Sequence, residues 1–265
     1  MANFCALVTT AFLSFAALIL AIVACAGSTS NYDPINKIYA AQLDLSDLNV
    51  DAVLANVSSS ASSLSLSSLG LPSYINVGLW SYCLADASGD VTNCTSPSGI
   101  QQFNLRNLLY DNIDNNQVLE LIDSVSQLVL PEKLQDNLKY YNDLVKCMFI
   151  TLIIGIVASF INFALNIVRW LLHFLVITWF ARFFSLVAFL SLIISAGTST
   201  GTYVYIKHVL SDNYDDYGIS LDLGRNFYAL LWASVAAALL NLITWFAVRS
   251  KRYAYVQPIE EKPLV

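Results

Sequence analysis

Few residues in this chain are of types that do chemistry, and their spacing narrows what that chemistry is. There are five cysteines, Cys5, Cys25, Cys83, Cys94 and Cys147, and two histidines, His173 and His208. No CxxC pair, HExxH motif or Cys/His group with metal-ligand spacing occurs among them. No Ser/His/Asp set or glycine-rich phosphate loop occurs either. The nearest approach to a cation loop is the acidic run DNYDDYGISLDLG (212–224). Aligned on Gly218, it puts Asn213, Asp215 and Tyr217 at the first three ligand positions. An EF-hand then needs a bidentate Glu where Gly224 stands, so the run reads as a solvated acidic loop. Catalysis, a cofactor and a metal centre are therefore not expected. What remains is Cys83 and Cys94, and in an oxidising compartment two such thiols form a disulfide.

The elements that position them are set by solvent. The 265 residues are 57% hydrophobic and 12% charged, and the mean hydropathy is +0.60. An ordinary soluble domain is about a quarter charged. Four apolar stretches, 4–26, 147–168, 177–200 and 227–248, are each long enough for about 30 Å of hydrocarbon. The expectation is an α-helical membrane protein, a four-transmembrane-helix bundle. Residues 28–144 hold thirteen Asp/Glu against Lys37, Arg106, Lys133 and Lys139. The segment 201–226 holds four Asp against Lys207 and Arg225. Arg169 and His173 lie in the short loop 169–176, Arg182 just beyond it, and the tail 249–265 opens on the basic cluster Arg249, Lys251 and Arg252. Lys and Arg near span ends favour the cytoplasmic side. Both termini are thus expected inside and the two acidic segments outside, in a multi-pass plasma-membrane protein. Ala24-Cys25-Ala26 fits a signal-peptidase site, but the run before it is long and lacks Lys or Arg, so the first helix reads as retained. The tail cluster would attract anionic inner-leaflet lipid. No basic patch on a soluble segment suits nucleic acid.

The first outer segment reads as a small domain. An exit segment, 28–41, precedes the weakly amphipathic LDLSDLNVDAVLANV and a Ser-rich run at 58–70. YINVGLWSYCLAD, the turn Ser88-Gly89-Asp90 and VTNC then signal a hairpin with Cys83 and Cys94 on opposing strands. Residues 117–130 carry an apolar helical face, and PEKLQDNLKYYNDLVKC leads helically into the second span. Two N-glycosylation sequons begin at Asn56 and Asn93. At Asn93 the middle residue is Cys94, so sugar addition competes with the bridge and Asn56 is favoured. Within the spans, Ala17/Ala21/Cys25, Ala229/Ala233/Ala237 and Gly197-x-x-x-Gly201 mark faces that let helices approach. Asn162, Asn166 and Asn241 are expected to hydrogen-bond between helices, and Arg182 to snorkel to the inner surface.

Gly78-Leu79-Trp80, followed by Cys83 and Cys94 in the first outer loop of a four-span chain, resembles the fingerprint of the claudin superfamily. The resemblance implies a claudin-like extracellular domain: a small antiparallel β-sheet with the tryptophan at its base, its strands pinned by the disulfide, plus helical insertions. In its long first loop the chain is similar to the fungal Sur/PalI family of claudin-like plasma-membrane proteins. ALILAIVACAGSTSNYDPINKIY, SSLGLPSYINVGLWSYC, YYNDLVKCMFI, NYDDYGISLDLGRNF and PIEEKPLV carry that similarity. It implies a non-enzymatic organiser of furrow-like (eisosome) membrane patches, supporting cell-wall integrity and stress-dependent growth. The implied partners are membrane lipids, further copies of the chain (a homo-oligomer) and other plasma-membrane proteins. The alternative is an auxiliary subunit of a larger complex, such as a cell-wall polysaccharide synthase or a transporter.

Overall fold

A chain inside hydrocarbon has to satisfy its backbone polar groups within itself, and long apolar runs do so as helices. The computed structural model describes residues 2–47, 72–97, 132–171, 175–214 and 218–247. It contains four such helices: α1 (Ala2–Cys25), α2 (Glu132–Leu171), α3 (Leu175–Tyr214) and α4 (Arg225–Ala247). Each is long and apolar enough to cross a membrane. At 40 residues each, α2 and α3 run about 60 Å, roughly twice the hydrocarbon thickness. Their surplus, the polar start of α2 and the end of α3, lies toward the two outer segments. Large side chains such as Phe12, Phe160, Trp179 and Phe246 point outward, where lipid would cover them.

Among the described residues, five short strands run between the helices: β1 (Ala41–Asp44), β2 (Tyr74–Val77), β3 (Tyr82–Ala85), β4 (Val91–Cys94) and β5 (Ser220–Leu223). They form one antiparallel sheet in the order β4-β3-β2-β1-β5. The hairpin β3–β4 closes as its turn residues dictate. Gly89 takes the left-handed φ of 83°, and Asp86 Oδ1 accepts the N–H groups of Ser88 at 2.9 Å and Asp90 at 3.1 Å.

Two stretches differ from the sequence reading. The exit segment and the amphipathic stretch meet in strand β1, where Ala41 and Leu43, with Leu45 just beyond the strand, alternate into the core. The acidic loop is likewise a strand at 220–223, not a solvated loop: Ile219 and Leu221 are buried while Ser220 and Asp222 face out. That alternation of period two is the strand signal, and the neighbouring aspartates obscure it. Residues 215–217, the Ser-rich run, 117–130 and the tail lie outside the described residues.

A continuous apolar core links helices and sheet, with Ala17, Ala21, Met148, Leu192, Tyr203, Phe227 and Leu231 from the bundle and Leu43, Ile75, Val77 and Leu221 from the sheet. Of the small-residue faces, Ala17, Ala21 and Cys25 are buried. Of the α4 set Ala237 is buried whereas Ala229 and Ala233 point outward, as do Gly197 and Gly201, where an added Cβ would meet nothing within 4 Å among the described residues. A polar seam joins all four helices nearer the opposite end. Thr10 donates to Asn166 Oδ1 (2.9 Å), Asn166 to Asn162 Oδ1 (3.1 Å), and Asn162 to the carbonyl of Ala181 (2.7 Å). Asn241 donates to Asn162 Oδ1 and to Ser185, both at 3.3 Å. Arg182 Nε donates to the carbonyl of Trp245 at 3.2 Å, satisfying an orphan acceptor at the end of α4.

Candidate functional site

The residues singled out by type and spacing converge where the sheet rests on the bundle. Gly78 follows β2 and donates its N–H to the carbonyl of Ser81 at 2.9 Å, closing a tight loop before β3. An added Cβ there would meet Ser28 Cβ at 2.7 Å and the Gly27 carbonyl at 2.8 Å. Only a glycine lets this loop touch the exit of α1. Leu79 is buried. Trp80, half-buried, sets its ring edge-on to Phe149 of α2, centroids 4.8 Å apart. The tryptophan thus bridges sheet and second helix, in the arrangement such rings prefer.

Beneath this loop lies a hub that the sequence reading missed. Ser28 takes a left-handed φ of 57°, uncommon for a side chain of any size. Its N–H donates to the carbonyl of Ile35 at 2.9 Å and its hydroxyl to that of Ile38 at 3.0 Å, while its own carbonyl accepts from the hydroxyl of Ser81. One serine therefore ties the end of α1 to the following loop and to the start of β3. Small residues directly after an apolar run were the available signal. The partners, up to 53 residues away, were not.

Cys83 and Cys94 face each other across β3 and β4 and are joined in a disulfide, with Cys83 fully buried. Asn93 stands exposed on β4, an edge strand. Thr95, the third residue of its sequon, is held against β3: Tyr82 N–H donates to Thr95 Oγ1 at 3.2 Å, and the Thr95 N–H and hydroxyl donate to the Tyr82 carbonyl at 2.9 and 3.3 Å. Asn56 and the basic cluster Arg249, Lys251 and Arg252 fall outside the described residues.

On the other side of the sheet, β5 brings the second outer segment against β1. Gly224 donates to the carbonyl of Ala40 at 3.2 Å and lies so close to the carbonyl of Tyr39 that a Cβ would collide with it. Lys207 of α3 pairs with Asp222 at 2.7 Å. Burial, with Asp222 adding to it, raises the pKa of the Tyr39 phenol. In the hairpin turn the opposite holds: the Ser88 hydroxyl, then the N–H groups of Asp90, Ser88 and Gly89, hold the Asp86 carboxyl below its usual range. Among the described residues no three or more His, Cys, Asp or Glu side chains gather as metal ligands would. The convergence of these residues fastens the two strand-bearing segments to the helix bundle.

A family description, the SUR7/PalI family, matches residues 6–244. The chain belongs to the SUR7/PalI family. This SUR7/PalI member is 58% identical over 268 aligned residues, the whole of both chains, to Protein PUN1 of Saccharomyces cerevisiae. It is 31% identical over 181 residues to the SUR7 family protein pun1 of Schizosaccharomyces pombe, a match covering 66% of this chain and 59% of that one. No solved structure matches it. Four candidate spans and a small antiparallel sheet give this SUR7/PalI protein the claudin-like architecture of a multi-pass membrane protein.

Proposed function

We propose that the chain is a non-enzymatic organiser of furrow-like (eisosome) patches in a fungal plasma membrane, supporting cell-wall integrity and growth under stress. The observation that carries this reading is the way the outer sheet is built. Both outer segments supply strands to it, and Ser28, Gly78 and Trp80 clamp it to the bundle. Such a unit transmits position from the wall-facing side through the bilayer and turns nothing over. Family membership supports the same reading, and the basic residues at span ends support cytoplasmic termini. A fluorescently tagged chain is expected in stable plasma-membrane patches, and its deletion is expected to sensitise cells to wall-perturbing dyes. Uniform distribution together with normal growth on those dyes would sink the proposal.

The second reading, an auxiliary subunit of a larger membrane complex such as a wall-polysaccharide synthase or transporter, draws on α3. Gly197 and Gly201 open a notch on its outward face that nothing among the described residues fills. Purification in mild detergent separates the two: further copies of the chain favour the organiser, and a stoichiometric large partner favours the subunit.

A further inference from the structure

We propose that Asn93 is an N-glycan acceptor that the Cys83–Cys94 bridge closes off, so its occupancy records which of two covalent events reaches β4 first. The inference rests on the outer segment facing the secretory lumen, and not on the organiser reading.

On the folded sheet the asparagine is open, since its side chain is exposed on an edge strand. The rest of its sequon is not. Cys94 is bonded to β3, and the Thr95 hydroxyl and N–H are both engaged with Tyr82. Sugar transfer reads Asn and Thr together from a chain free of other pairing, so β4 has to leave the sheet to react. As a terminal strand it has one ladder to break, that with β3, besides the exposed bonds that Asn31 Nδ2 donates to the carbonyls of Val91 and Thr92 at 3.1 and 3.4 Å. That ladder covers a four-residue strand at the rim of the sheet, and so short a pairing is marginal in water without its bridge. It forms in about 1–10 μs and opens readily, whereas disulfide formation takes seconds or longer. Until the bridge forms, the sequon is repeatedly presented; afterwards the bridge holds it in register.

The two steps are chemically independent. In one, the side-chain nitrogen of Asn93 attacks the anomeric carbon of a lipid-linked pyrophosphoryl oligosaccharide. A C–N bond forms, the C–O bond to phosphate breaks, the lipid pyrophosphate leaves and the amide gives up one proton. In the other, the two thiols lose two protons and two electrons to a disulfide carrier of the secretory pathway as the S–S bond forms. Because Asn93 points to solvent, a chain that acquires the sugar first can still complete the sheet.

The test is the endoglycosidase-sensitive gel shift of the full chain made in fungal cells, in an Asn56→Gln background. A minor shifted fraction is expected in that parent and a major one in Cys83→Ser, with the shift lost from both on adding Thr95→Ala. A pulse of dithiothreitol during synthesis is expected to raise the shifted fraction in the parent and to leave Cys83→Ser unchanged. Trp80→Ala, which weakens the seat of the sheet and keeps both cysteines, is expected to stay at the parent level. Equal occupancy with and without Cys83, or a rise in Trp80→Ala to the Cys83→Ser level, overturns the proposal. Absence of any shift at Asn93 in all variants also overturns it. A shift restored by reinstating Asn56 would then show that the segment had reached the lumen all the same.

Discussion

Trp80 and Asp86 show how single side chains hold the outer sheet at its two ends. Trp80 is half-buried between the β2–β3 loop and Phe149. Its replacement by alanine should therefore cost about 2–3 kcal/mol, below the roughly 3–5 of a fully buried aromatic. Thermal unfolding of the purified chain in detergent measures this, and an unchanged midpoint would deny the ring its role as a bridge. Asp86 acts through charge. Its folded pKa lies below the unfolded one, so its contribution is present above the unfolded value and is lost as pH falls through the folded one. The amide signals of Ser88 and Gly89 should stay put from neutral pH downward and move only below about pH 4, the ordinary carboxylate range. In Asp86→Asn that transition should vanish. Residues of this kind were legible beforehand where their signal is local: Gly78, Leu79, Trp80 and the cysteines lie within one short stretch. Ser28 was not, because its partners Ile38 and Ser81 become neighbours only once α1 and the sheet have met.

At the level of elements, composition told where helices run but not which face turns inward. The alanines of α1 and those of α4 have the same spacing in sequence, yet Ala21 is 0% exposed while Ala233 is open to the surroundings. The choice is made by what lies opposite, and a single helix does not carry that information. Ala21→Leu should therefore overpack the core and cost about 1–3 kcal/mol. Ala233→Leu should stay within about 0.5 kcal/mol of the parent. Comparing the two in one detergent unfolding series checks the packing directly; equal losses would mean that α4 is turned the other way. The asparagine seam was legible for a better reason. Amides at that depth need partners, and Asn162 has them on α2, α3 and α4.

At the scale of the whole molecule, the sheet makes one body of the α1–α2 and α3–α4 connections. β5 is four residues long, follows Asp215 and Asp216 in sequence, contains Asp222, and pairs with β1 from far earlier in the chain. No local pattern names that partner, which is why the strand went unread. The register places Gln42 opposite Asp222. Gln42→Cys combined with Asp222→Cys should therefore oxidise to a bridge between the first and second outer segments, detectable by non-reducing peptide mapping. Free thiols at both positions, in a chain whose Cys83–Cys94 bridge is intact, would refute the pairing. The position of β1 also carries a hazard. Four strands emerge from the ribosome before the third span does, and the fifth follows after it. Throughout that interval β1 offers an unpaired row of N–H and C=O groups, the kind of edge that recruits any matching strand. A chain halted before Ser220 never covers it. The nearest SLDL segment then belongs to another molecule, and strand exchange between copies becomes the characteristic way for this architecture to misassemble.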